Sequence, residues 1–408
     1  MFTTEEKRVI AYSNGKHPTI PSSVTSETPI EELNLNWREK DLPEKERTKH
    51  VHRLHPYLGK FIPQLVEIFL KKYFRAGQTV LDPFCGSGTT IVQASELGIN
   101  SVGYDISEFN ILLSRTKTTK YDVERVRVEV MDILGKVRSR VGGKSGQRDF
   151  WSDSSNGHLF SDTENTYLNT WFGDQARREL LVYKHLIDSE EYEYKDLLRI
   201  ILSRSARSSR LTTHYDLDFP KKPQTESYWC YKHSRTCHPT TDAMKFLSRY
   251  SLDTIKRIAD FATKRTEAKI ILEHADSRRS SFPPIDGVIT SPPYVGLIDY
   301  HEQHAYGYHL LGLEDRRFDE IGPATNGSGA KAREQYQIDI AEVFRRAACA
   351  MSSKGRMIVV AADKANLYER IAQLAGLEVE NVIYRHVNRR TGRRSTQFYE
   401  SVFIWRKP

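Results

Sequence analysis

Apolar residues recur along this chain at two spacings, and the switch between them marks its organisation. In IPQLVEIFLKKYFR, residues 62–75, they fall at helical intervals and predict an amphipathic helix. QTVLDPF then reads as a strand and CGSGTT as a glycine turn. TTIVQASELG reads as a helix stopped by Gly98, and NSVGYDIS as a second strand. This run has the size of one βαβ unit. The alternation is interrupted over residues 116–265. There, 120–140 and the stretches around 175–211 and 240–265 predict helices. Residues 142–165 form a Gly/Ser/Asp-rich loop, and THYDLDFPKKPQTESYWCYKHSRTCHP is irregular. The pattern resumes with two strands, AKIILEHADS ending at Asp276 and Asp286-Gly-Val-Ile-Thr290. A long loop to about 331, a helix near 332–351, the strand GRMIVVAAD and a helix near 365–375 follow. VENVIYRH and ESVFIWRK predict an antiparallel hairpin. Residues 1–45 are polar with little periodicity and are expected to form a loosely ordered arm. The expected fold is α/β, with a Rossmann-like sheet carried by 46–115 and 266–408 and a mainly helical insertion at 116–265.

Composition narrows this picture. The chain has 408 residues, 38% hydrophobic and 28% charged, as expected of a soluble globular protein with a large core. No run of eighteen apolar residues exists, so no membrane span is expected, and MFTTEEKRVI lacks the pattern of a signal peptide. Four cysteines, Cys85, Cys230, Cys237 and Cys349, do not suggest a disulfide scaffold and fit a reducing, cytoplasmic setting. Net charge is +8. Much of it is clustered: Arg385, Arg389, Arg390, Arg393 and Arg394 crowd into RHVNRRTGRR. A second run carries Arg207 and Arg210 and continues to Lys221, Lys222, Lys232 and Arg235. Charge runs are commonly solvated faces; these two are also candidate contacts to a polyanion.

The glycine turn LDPFCGSGTT points to a ligand. Gly86 and Gly88 let the backbone turn sharply and a ligand lie against it. A phosphate-binding loop would usually place a lysine directly after its glycines, and none follows here. The next strand ends at Asp105, near where dinucleotide folds place an acid on the ribose hydroxyls. A ribose-binding acid without phosphate chemistry favours a nucleoside ligand lacking a pyrophosphate, and S-adenosylmethionine is one. Gly-x-Gly lacks the third glycine of a dehydrogenase.

Asp82–Thr89 (DPFCGSGT), Ser291-Pro292-Pro293-Tyr294 and His55–Phe61 (HPYLGKF) together resemble the amino-group DNA methyltransferases, which modify N4 of cytosine or N6 of adenine. The resemblance is specific over roughly 50–115 and 270–405 and weak over the insertion. It implies a class I methyltransferase sheet, S-adenosylmethionine as cofactor and double-stranded DNA as partner. It also implies a restriction–modification setting in a prokaryote, with a cognate restriction nuclease as a possible companion. The cofactor-binding residues it implies are Tyr57, Lys60, Phe61, Asp82, Phe84, Gly86, Ser87, Gly88, Thr89, Asp105, Ile106 and Asp276, with Asp105 on the ribose and Asp276 by the adenine ring.

A base amine is a poor nucleophile because its lone pair is delocalised into the ring. The family implies two acceptors for its N–H bonds, the Ser291 side-chain oxygen and the Pro292 carbonyl. Pro292 and Pro293 stiffen that corner, and Tyr294 offers a face on which the base stacks. A duplex base must be flipped out to reach it. Serine at the first position resembles the cytosine-N4 branch; aspartate or asparagine is commoner in the adenine branch. The cofactor motif here precedes the catalytic one, whereas many family members with SPPY have the reverse order. No large segment follows ESVFIWRK, so the insertion is the expected place of target recognition. Arg389, Arg390, Arg393, Arg394, Arg207 and Arg210 would grip DNA phosphates.

Two clusters invite a metal. His301, Glu302, His304 and His309 lie in LIDYHEQHAYGYH, but methyl transfer from a sulfonium needs no metal, and a helix start lining the base pocket is the simpler reading. Cys230, His233, Cys237 and His238 offer soft ligands at short spacing, with His214 able to complete a set. That spacing is not a standard finger, so no metal is expected, and buried thiols in a basic DNA-facing loop are the leading alternative to zinc. Two other functions stay open: an RNA base-amine methyltransferase, and a nucleic-acid-binding protein with a vestigial cofactor fold.

Overall fold

The structure is a computed structural model that describes residues 17–142, 163–387 and 398–408. Most of the expected loop at 142–165, and Arg389, Arg390, Arg393 and Arg394, lie outside the described residues. The strands are β1 (Thr79–Asp82), β2 (Asn100–Asp105), β3 (Tyr228–Cys230), β4 (Arg235–Cys237), β5 (Ile270–His274), β6 (Gly287–Thr290), β7 (Arg356–Ala361), β8 (Glu378–Val387) and β9 (Phe398–Arg406). Seven of them form one sheet in the order β5-β2-β1-β6-β7-β9-β8. The first five are parallel, and β9 runs antiparallel to both its neighbours. Strand order reverses at β1, with β2 and β5 on one side and β6 and β7 on the other. This is the expected Rossmann-like α/β sheet.

Consecutive residues of the central strands point to opposite faces, so each strand feeds two cores. Val80, Ile289 and Ile358 pack with Leu65, Ile68 and Phe69 of α2 (Pro63–Tyr73), which follows the short α1 (Glu44–Arg47). Leu81, Val288 and Val359 face the other way, toward the long helix Ala330–Ala350 and the short helix Tyr368–Leu374. Residues 17–42 are not a loose arm. Leu33 and Leu35 are 1% exposed and join the α2 core, Trp37 Nε1 donates to the Thr19 carbonyl, and Asn36 accepts the His386 N–H of β8. Their apolar residues follow neither a helical nor a strand period, which is why the pattern hid them.

After α3 (Thr89–Glu96) and α4 (Glu108–Thr118), the insertion contributes α5 (Val123–Gly142), α6 (Thr166–Trp171), α7 (Asp174–Ser189), α8 (Lys195–Ser209) and α9 (Met244–Ala262). The expected single helix over 175–211 is broken between α7 and α8. Buried Glu129 of α5 accepts the N–H groups of Glu193 and Tyr194 at 2.9 and 3.0 Å, which supplies the break with a cap. Buried Glu179 likewise accepts the N–H groups of Ala243 and Met244 at the start of α9. Leu134, Leu180, Ile201 and Ile258 from these helices share one core with Phe109 and Leu113 of α4. The expected long loop after β6 contains two more helices, α10 (Tyr300–Gln303) and α11 (Ala305–Leu311), before α12 (Ala330–Ala350) and α13 (Tyr368–Leu374).

Gly88 shows why the turn before α3 needs its glycine. It caps the helix with φ +75°, and a Cβ there would lie 2.7 Å from Ser114 Oγ and 3.3 Å from Ser114 Cα. Gly77 has φ +87° with nothing within 4 Å. Gly77→Ala is therefore expected to lose only the left-handed backbone term, about 1–2 kcal/mol, and Gly88→Ala clearly more. Urea unfolding of the two variants tests this; equal losses would mean that Ser114 does not confine the turn.

Candidate active site

The carboxyl ends of β1 and β6 sit at the reversal of strand order, where open α/β sheets hold ligands. Buried Asp82 ends β1 and Thr290 ends β6, and the Thr290 hydroxyl donates to Asp82 Oδ1 at 2.7 Å. The same oxygen accepts the Phe84 N–H. Burial pushes the Asp82 carboxyl up to about 6, against the pull of these bonds. The turn above it is held from several sides. Gly86 N–H donates to Asp105 Oδ2 at 2.7 Å, Ser114 Oγ donates to the Gly86 carbonyl, and Lys117 Nζ donates to the Ser87 carbonyl. Lys117 is fully buried, and burial drives its amine well below the ordinary lysine range. The glycine turn thus has its lysine after all, brought from α4 and set behind the loop. Asp105 Oδ1 accepts from Ser107 N–H and Asn110 Nδ2. Burial raises its carboxyl despite those donors.

A solvent-open cleft of about 800 Å³ lies over this turn. Ten of the expected cofactor residues line it: Tyr57, Lys60, Phe61, Phe84, Gly86, Ser87, Thr89, Asp105, Ile106 and Asp276. Asp82 is buried behind it, and Gly88 is the cap of α3. Lys60 contributes its stem, while its amine donates to the His52 carbonyl and is lowered by burial to about 8. Asp276 is chelated by Arg278 through Nε and Nη2. Burial pushes its carboxyl up, but Arg278 outweighs this and the net shift is downward. Asp276 therefore reaches the cleft already paired with Arg278.

Ser291 and Pro293 line the same cleft, Pro292 is buried, and Tyr294 lines a second one with Tyr336, Asp363 and Tyr368. The corner is braced from behind. Tyr336 Oη donates to the Pro293 carbonyl at 2.8 Å and lies 2.7 Å from Tyr368 Oη. Tyr294 Oη lies 3.4 Å from Glu400 Oε1, and Arg385 pairs with Oε2 of the same carboxylate at 2.8 Å. Burial first, then the Glu400 charge, holds the Tyr294 phenol well above its ordinary range, with a hydrogen bond from Ser291 opposing. Arg385, 5% exposed, belongs to this buried pair and not to a phosphate-gripping loop. Lys117, Tyr336, Tyr368 and Glu400 carry no motif, and only the fold brings them to the site.

The histidine-rich segment does not gather a metal set among the described residues. His301 is held by Glu320, His304 stacks between Tyr57 and Phe109, and His309 stacks on Tyr167. Glu302 pairs with Arg317. Burial lowers His304 to about 4, so it is a neutral packing ring. Arg207 and Arg210 are also not free cations. Arg207 pairs with Asp218, and Arg210, 3% exposed, stacks over Tyr306 and donates to the Leu217 carbonyl. They pin the 211–224 segment to the insertion core, so neither is placed to grip phosphate. Cys230, His233 and Cys237 do converge, but with His214; His238 turns away to Ser227.

A family model of N6/N4 methyltransferases, described as DNA methylase, matches residues 2–115. Type II methyltransferase M.MjaII of Methanocaldococcus jannaschii is 36% identical over 89% of this chain and 81% of its own length. Type II methyltransferase M.BsoBI of Geobacillus stearothermophilus is 24% identical over 68% of this chain, which spans 56% of that protein. Among solved structures, TrmN from Thermus thermophilus matches 86% of this chain and 50% of its own, at 13% identity and a TM-score of 0.34.

Asp82 sets a pH signature. Between the ordinary carboxyl value of 3.8 and about 6, the folded chain keeps a proton that the unfolded chain releases. Stability from this group therefore falls as pH rises through that window, by about 3 kcal/mol in full. Asp82→Asn stays neutral throughout. Its melting temperature is expected to gain on the parent's from pH 4 to pH 6, read by calorimetry. A constant difference across those pH values would show that Asp82 titrates normally.

Proposed function

Since the chain belongs to the type II DNA methyltransferases that modify exocyclic amines and uses S-adenosylmethionine, we propose that its target is N4 of cytosine, flipped from double-stranded DNA. The observation that carries the reading is the position of the Ser291–Tyr294 corner. It ends β6, puts Ser291 and Pro293 on the wall of the Asp105 cleft, and turns Tyr294 into the neighbouring one. Serine as the first residue of that corner supports cytosine over adenine by resemblance.

The first cleft fits the cofactor chemically. Asp105, Asp276, Asp319 and Glu320 line it against one lysine whose amine is turned to a carbonyl. Such a wall, in which Asp276 is already paired with Arg278, offers a polyphosphate no free lysine. Asp105 would take the ribose hydroxyls, and the Gly86 turn leaves room because a Cβ there would crowd Tyr57 Oη at 3.1 Å. When bound, S-adenosylmethionine supplies an electrophilic methyl group.

The chain's own work is to hold the acceptor amine. Ser291 Oγ and the Pro292 carbonyl accept its N–H groups, which localises the nitrogen lone pair. Rigid prolines, together with the Tyr336 bond to the Pro293 carbonyl, keep these acceptors from swinging away. The Tyr294 ring offers the base a stacking face, worth about 1–3 kcal/mol. A restriction–modification system with a cognate nuclease is the proposed setting. No described helix is long and apolar enough to cross a membrane.

Incubating the protein with labelled cofactor and, in parallel, duplex DNA or structured RNA, digesting to nucleosides and reading the modified base by mass spectrometry tests the proposal. N4-methylcytosine supports it, N6-methyladenine moves the chain to the adenine branch, and label confined to structured RNA rejects a DNA target. Ser291→Ala is expected to lower turnover about 10²-fold or more while cofactor affinity by calorimetry is retained. Parallel loss of both would make Ser291 a structural residue.

A further inference from the structure

The hairpin of β3 and β4 is built the wrong way round for burial. Its outward residues include Trp229 and Tyr231, 53% and 79% exposed, while the fully buried member is Cys230. Among the described residues the two strands, three residues each, pair only with each other. A two-stranded hairpin of that size is marginal in water, and this one lacks an apolar side to hold it.

What it does have is a convergence of ligand atoms. Cys230, Cys237, His233 and His214 each direct one donor atom to a common point, and the four atoms lie within 4.8 Å of one another. Cys230 Sγ is 3.6 Å from both His214 Nδ1 and His233 Nδ1, and His233 Nδ1 is 3.4 Å from Cys237 Sγ. Hydrogen bonding accounts for this poorly, because His233 Nδ1 carries at most one proton yet faces two sulfurs. A tetrahedral zinc ion accounts for it directly. With Zn–S near 2.3 Å and Zn–N near 2.0–2.1 Å, the sulfur–nitrogen edges of the tetrahedron come to about 3.5 Å.

The backbone supports the same centre. His233 N–H donates to the Cys230 carbonyl, and Ser234 takes φ +49°, so the tip folds back and returns Cys237 beside His233. His214 arrives separately, from the segment that Arg207 and Arg210 pin to the insertion. Tyr228 Oη accepts the His214 N–H at 3.0 Å and also lies 3.0 Å from His214 Nδ1. On metal binding it would give up the ring nitrogen and keep the main-chain donor.

We propose that this chain binds one structural zinc ion through His214, Cys230, His233 and Cys237, with His238 excluded. Each cysteine thiol loses its proton to solvent, and the two thiolates neutralise the dication. All four positions are protein ligands, so the ion has no open site for chemistry and acts as a staple. It joins the 211–224 segment to the hairpin and lets the latter stand with its aromatic residues outward.

The test uses the full-length chain. Zinc content is measured after dialysis, then the protein is stripped with a chelator and titrated with Co(II) alone. About one zinc per chain is expected, with visible tetrahedral Co(II) bands and a thiolate-to-cobalt absorption in the near ultraviolet. Cys237→Ser and His214→Ala should lose the metal, and His238→Ala should keep it. A wild-type chain without zinc and with a featureless Co(II) spectrum overturns the proposal and needs no variant to fold. Zinc retained by a Cys230→Ser/Cys237→Ser double variant, or lost from His238→Ala as completely as from His214→Ala, overturns the ligand set.

Discussion

One hydrogen bond decides where the two halves of the site stand. Thr290 at the end of β6 donates to Asp82 at the end of β1, and both side chains are buried. The glycine turn leaves directly from Asp82 and the proline corner directly from Thr290, so the bond sets the distance between the cofactor loop and the corner that would hold the base. β1 and β6 pair at Val80–Gly287 and Leu81–Val288, and this contact adds a side-chain link just beyond that pairing. Burying Asp82 has a cost, visible as its raised carboxyl. A fold that keeps such a group at a strand end has exchanged some stability for a defined geometry, as active sites commonly do.

The insertion is keyed to that geometry. Its helices share a core with α4, the helix that supplies Lys117 and Ser114 to the back of the glycine turn. The Tyr57, His304 and Phe109 rings stack in sequence, linking the segment before α2, the segment after the proline corner and α4. Glu129 and Glu179 act as helix caps inside the insertion. A buried carboxylate between two backbone donors fixes the angle between helices more strictly than apolar contact can. The insertion's helices are therefore held in register with the glycine turn.

Which parts were legible in the sequence follows from the range of the forces involved. β1, α3 and β2 were readable because alternation, a glycine turn and a helix stop are local signals. The corner at Ser291–Tyr294 was readable because proline stiffness is local too. The 17–42 segment was not, since Leu33 and Leu35 are buried by an α2 core distant in sequence. Arg207 and Arg210 look like a basic stripe in one dimension. In three, Asp218, Tyr306 and the Leu217 carbonyl consume their charge. Lys117 was invisible as part of the glycine turn because only the packing of α4 brings it there. His238 adjoins Cys237 in sequence, yet it turns to Ser227, while the distant His214 joins the cysteines.

The two clefts meet at the proline corner, and the phenol between them explains why the last hairpin belongs to the site. Tyr294 presents its ring to the second cleft only if its hydroxyl is anchored, and the anchor is Glu400 of β9, itself held by Arg385 of β8. Both members of that pair are buried, so breaking it would leave an uncompensated charge beside the stacking ring. The pair also spans the two strands that flank the arginine-rich loop. Tyr294 thus leans on the edge strands β8 and β9 through Glu400, whereas Ser291 follows directly from Thr290 at the sheet's centre.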